Sequence, residues 1–194
     1  MSSLLIYLIP VIIYGVAVCL AERAGCREVA KRLGLVPGKG RYYIWAVGLA
    51  VATAVLPVLV IRMMGAEVLG HENIALSRFI GQSLTVASLL SAVSFGVLET
   101  GLGEELLFRG LIAGALGRRM RLWAANVIQA AIFVLPHLLL VSADTRLWPL
   151  AVPIPLASGL ILGWLRLESG SILPGWIVHA LGNIISAIAV IVFV

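Results

Sequence analysis

Charge is scarce in this chain. Of its 194 residues only 12% are Asp, Glu, Lys or Arg, against about 25% in an ordinary soluble domain. Cysteine is nearly missing. The only two, Cys19 and Cys26, stand in neither CxxC nor ligand spacing, so no disulfide framework or zinc finger follows and both read as free thiols. Aspartate occurs once, as Asp144, outside the apolar runs, which disfavours an aspartyl dyad. HExxH is missing, and with it the standard zincin pattern. Ser94, Ser158 and Ser186 lie in apolar runs without a GxSxG context or an obvious adjacent base, which disfavours a serine nucleophile.

Apolar residues fill the space. The chain is 61% hydrophobic, with a mean hydropathy of +1.10. A protein this small has too little interior to hide so much apolar surface. A soluble enzyme, a disordered tail and a nucleic-acid binder are excluded, and an all-α bundle in a lipid bilayer is expected. The basic pI of about 9.8 does not reverse this. Six of the fourteen basic residues lie between Arg23 and Arg41, and three more are Arg118, Arg119 and Arg121. Basic clusters beside apolar spans are a topology signal.

The spans read as follows. Ser3 to Ala21 has no positive n-region and no convincing cleavage site, so it reads as an uncleaved membrane helix. Residues 22 to 41 form a basic loop, amphipathic at first and then broken by Pro37, Gly38 and Gly40. Tyr42 to Ile61 is the second span, entered through Tyr42, Tyr43 and Trp45. Arg62 to Ser77 is a polar loop with Glu67, His71 and Glu72, where His71 reads as a surface residue. Arg78 to Gly117 is about twice as long as one crossing requires. It is either two spans bent near Gly101 and Gly103 or a re-entrant piece followed by one span. Leu122 to Ser142, Pro149 to Leu165 and Ile172 to Val194 complete a bundle of six or seven transmembrane helices. Residues 1–194 read as one integral membrane domain: two N-terminal spans with their basic loop over 1–78, and a core over 79–194. The positive-inside rule puts the Arg23 to Arg41 loop in the cytoplasm and the N-terminus outside. It puts the Arg118 cluster in the cytoplasm only if residues 78 to 117 cross an odd number of times.

Ionisable groups inside spans cost roughly 2.5–3.5 kcal/mol each on insertion scales and mark function by default. They fall in three places. Glu104-Glu105-Leu106-Leu107-Phe108-Arg109 carries two carboxylates and a guanidinium; at i,i+4, Glu105 and Arg109 can pair while Glu104, about 100° away, faces something else. Phe133-Val134-Leu135-Pro136-His137 carries an imidazole beside a helix-kinking proline. His179-Ala180-Leu181-Gly182-Asn183 puts imidazole and amide on one face. Alone, His137 is as well explained as a hydrogen-bonded core histidine, and His179 with Asn183 as interhelical polar glue. Together, each needing a partner away from lipid, the three are expected to meet. Glu104, His137 and His179 could in principle form a His₂Glu zinc site.

These three motifs, in this order, resemble those of the CAAX protease and bacteriocin-processing family of intramembrane proteases, which includes the type II CAAX prenyl endopeptidases. The resemblance covers about residues 80 to 190. It implies peptide hydrolysis with Glu104 activating water, His137 helping to hold it, and His179 and Asn183 stabilising the oxyanion. Glu105 and Arg109, supported by Phe133, would lock the helix geometry. No cofactor is expected, since asparagine is a poor zinc ligand and the glutamate can work without metal. The implied partners are the bilayer and a membrane-associated protein or peptide substrate, with no nucleic acid. The expected location is a prokaryotic inner membrane. Two other classes compete: a non-catalytic protein such as a bacteriocin immunity protein, and a proton-coupled transporter, which the missing inverted repeat weakens.

Overall fold

The computed structural model describes residues 3–70 and 74–194. Met1, Ser2, His71 and Glu72 lie outside the described residues, as does the side chain of Glu67. The architecture is all-α. Helices α1 (Ser3–Glu22), α2 (Cys26–Arg32), α3 (Arg41–Thr53) and α4 (Val55–Leu69) precede a 3₁₀ turn at Ala75–Phe79. Then come α5 (Val86–Gly117), α6 (Leu122–Ser142), α7 (Pro153–Ser169) and α8 (Leu173–Phe193).

The packing is that of a protein dissolved in lipid. Large apolar side chains such as Ile13, Leu20, Ile44 and Val51 face outward, while Ala46, Ala92, Ala113, Ala125 and Ala130 fill the helix contacts. Small residues allow backbones to approach where no hydrophobic force drives helices together. Among the described residues, five helices are long and apolar enough to span: α1, α3 running into α4, α5, α6 and α8. Helix α7, at 17 residues, starts at Pro153 rather than Pro149, because the short turn Trp148–Ala151 closes first. Its length is at the lower limit for a crossing, and it is not among the five helices long and apolar enough to span.

The long run after Arg78 is neither bent into two spans nor re-entrant. Residues 86–117 form one continuous helix, started by a capping box in which Thr85 and Ser88 satisfy each other's backbone donors. Strain is absorbed by widening instead of bending: Phe95–Leu102 and Glu105–Ala113 are π-helical. A Cβ at Gly101 would collide with the carbonyl of Gly96, so the wide turn depends on glycine there. One crossing brings both basic clusters to one face. The Arg118 guanidinium reaches the carbonyl of Arg32 at 3.4 Å and the hydroxyl of Tyr14 at 2.8 Å. The α7–α8 turn is stitched to the same loop, with Lys39 N–H donating to Ser169 O and Ile172 N–H to Gly34 O.

Candidate active site

Helix α5 supplies Glu105 and Arg109 from its second widened segment and Glu104 from the residue just before it. Glu105 and Arg109 are fully buried and Glu104 is 9% exposed. Arg109 Nη1 lies 3.1 Å from Glu105 Oε1, yet no guanidinium nitrogen is aligned for a hydrogen bond. The reason is the ring beneath: Arg109 Cζ sits 4.1 Å from the centre of Phe133. The guanidinium is held by charge on one side and a π face on the other.

Phe133, buried on α6, gathers the site. Besides Arg109 it meets Phe108 edge-on at 4.9 Å, His137 at 4.9 Å and His179 at 6.4 Å between ring centres. Around Pro136, Leu135–His137 tighten into a 3₁₀ turn. That turn lets His137 Nδ1 reach back 2.9 Å to the carbonyl of Phe133. A carbonyl only accepts, so Nδ1 carries the proton and Nε2 is left free.

His179 on α8 solves the same problem differently. Its Nδ1 lies 3.0 Å from Glu105 Oε1 and its Nε2 3.7 Å from Glu104 Oε2. The ionised Glu105, paired with Arg109, can only accept, so Nδ1–H donates to it. Arg109 pairs with Glu105 while Glu104 faces Tyr7 and His179, and the His179 imidazole lies between the two carboxylates. Gly175 makes room, since a Cβ there would stand 3.0 Å from Glu105 Oε2.

Asn183 lies one turn beyond His179 but reaches a different part of α5. Its Nδ2 donates to Thr100 Oγ1 at 2.7 Å, and Thr100 in turn donates to the carbonyl of Phe95 at 2.9 Å. Trp176 Nε1 donates to the carbonyl of Val97 at 2.8 Å. The i→i+5 pattern shifts backbone carbonyls out of α-helical register; Trp176 of α8 binds one directly, and Thr100 links Asn183 to another.

A family model described as type II CAAX prenyl endopeptidase Rce1-like matches residues 86–185, just over half of the chain. The chain belongs to that family. No curated protein and no solved structure matches it. At family level this is a CAAX-type intramembrane protease. The matched stretch begins with α5 and ends just past Asn183, so all three motifs lie within it.

Several polar residues of this CAAX-type protein escaped the sequence reading. Tyr7 of α1 reaches Glu104. Thr100 holds Asn183, and a threonine in an apolar helix gives no signal by itself. Glu99 pairs with Arg78 at 2.9 Å. Buried Gln129 donates to Gly159 O at 2.7 Å, and Asn126 donates to Leu160 O at 3.0 Å, tying α6 to α7. These last two are interhelical glue. As for the zinc option, no group of three His, Cys, Asp or Glu side chains among the described residues is placed to hold an ion. Glu104, His137 and His179 thus do not present a ready three-ligand set.

Proposed function

We propose that this chain is a glutamate-type intramembrane endopeptidase that cuts a membrane-associated protein or peptide in a prokaryotic inner membrane. The observation that carries the proposal is the His179 bridge, in which one imidazole contacts both carboxylates of a helix that lipid should have kept free of charge. Two carboxylates against one guanidinium leave one negative charge, which a protonated His179 balances.

Glu104 takes a proton from water, and the hydroxide adds to the scissile carbonyl carbon. The negative charge moves to the carbonyl oxygen. His179, doubly protonated and with Nδ1–H held by Glu105, donates from Nε2 to that oxyanion. Asn183 offers its second N–H, the first being held by Thr100. His137 presents Nε2 as an acceptor that holds the water. Glu104 then passes its proton to the leaving nitrogen as the C–N bond breaks, which restores the carboxylate. No step requires a resident metal.

The test is purified protein in proteoliposomes. It is offered prenylated C-terminal tail peptides, leader-bearing peptides and membrane-anchored tails. Cleavage of one class, abolished in Glu104→Gln with insertion and folding intact, supports the reading. Full cleavage by Glu104→Gln overturns it. A non-catalytic protein would cut none and would keep its phenotype in that variant.

A further inference from the structure

Tyr7 lies on α1, outside the stretch that matches the family, and its hydroxyl reaches Oε1 of Glu104 at 3.5 Å. The surrounding packing holds it there. At Gly103, the residue before the acid, a Cβ would stand 2.9 Å from Tyr7 Cδ2, so α1 seats its tyrosine ring in a glycine notch of α5. The ring also meets Phe108 edge-on at 6.3 Å. The other tyrosine of α1, Tyr14, is engaged by Arg118 at the basic face. An ionised carboxylate has no proton to give, so the phenol donates. The contact is long for an O–H···O bond, and catalytic hydrogen bonds commonly tighten only when substrate binds.

We infer that Tyr7 is a positioning residue for the general base. It fixes Oε1 of Glu104 from one side while His179 faces Oε2 from the other, so Oε2 is the oxygen that takes the proton from water. The N-terminal helix thereby completes the site and is more than an anchor. The inference rests on the reading of Glu104 as the base.

Tyr7→Phe removes one oxygen and keeps the ring in its notch. The infrared carboxylate band that disappears in Glu104→Gln belongs to Glu104. Tyr7→Phe shifts that band, and Tyr14→Phe leaves it in place. On the peptide class that the wild type cuts, kcat of Tyr7→Phe falls about 10–100-fold, as expected for losing a hydrogen bond to a charged group, with KM within about twofold. An unshifted band overturns the inference, whether kcat is unchanged or falls together with the melting temperature. If Glu104→Gln is inactive while Tyr7→Phe keeps band and rate, only the role of Tyr7 fails. If Glu104→Gln retains activity, the base assignment itself fails. Gly103→Ala, which crowds the ring out of its notch, is expected to reproduce the band shift.

Discussion

Oε1 of Glu105 is shared: Arg109 Nη1 lies 3.1 Å from it and His179 Nδ1 lies 3.0 Å from it. One buried oxygen thus ties a cation on its own helix to an imidazole on another. Glu105 neutralises Arg109 and sets the tautomer of His179, which turns Nε2 toward Glu104. A carboxylate that holds a histidine by Nδ1 also stabilises the ring when it gains a second proton.

Replacing the oxyanion donors tests that geometry. His179→Ala and Asn183→Ala are each expected to lower kcat by about 10²–10³, the usual cost of one such donor. Thr100→Val keeps the shape but removes the partner of Asn183, and should lower kcat less than Asn183→Ala does. Steady-state kinetics on one peptide decides, and wild-type kcat in Asn183→Ala would exclude its role.

Breaking the buried pair should cost stability. Arg109→Met leaves the Glu105 carboxylate with His179 as its remaining partner, and removing one partner of a buried pair costs about 3–5 kcal/mol. Thermal melting in detergent should drop by roughly ten degrees. Arg109→Met combined with Glu105→Leu should recover most of the stability and none of the cleavage, because His179 has lost its anchor. A single variant that melts like wild type would show that the pair holds nothing together.

Phe133 is expected to matter for both folding and rate. Phe133→Leu retains apolar bulk but removes the π face under Arg109 and the edges against His137 and His179. The lost cation–π and aromatic contacts amount to about 1–3 kcal/mol. Melting and kcat measured on the same preparation should fall together, and a variant equal to wild type in both would contradict the hub role.

Chelation addresses the metal directly. His137 donates its Nδ1–H to the carbonyl of Phe133 and leaves Nε2 open, an arrangement that metal-binding histidines also use. Activity is expected to survive exhaustive chelation. Elemental analysis showing stoichiometric zinc, with activity lost on its removal and regained on its return, would replace the proposed mechanism with a metal-based one.

Topology is testable through Cys26, which is exposed within the basic segment of residues 22 to 41. In a Cys19→Ser background, a membrane-impermeant maleimide should label Cys26 only from the cytoplasmic side. Arg119→Cys in a cysteine-free background should be labelled from that same side, since α5 crosses once. Labelling of the two positions from opposite sides would refute the single crossing.

The spans and the seven motif residues are legible in the sequence because lipid makes polarity conspicuous. Glu104, Arg109, His137 and His179 stand out against leucine and alanine, and their order along the chain carries the family resemblance. Single crossing by residues 86–117 is less legible. Gly101 and Gly103 suggest a bend to the eye, but in the fold they permit a wide turn and a seat for Tyr7.

What the amino-acid order determined by itself is which groups must leave lipid and on which helices they ride. Only the tertiary structure decided which atoms face each other. Packing brought the His179 imidazole between Glu104 and Glu105, and neighbouring carbonyl and carboxylate oxygens chose the histidine tautomers. Tyr7 met an acid 97 positions away. Hydrogen-bond partner and helix seating are both consequences of packing, and no local pattern of residue types encodes them.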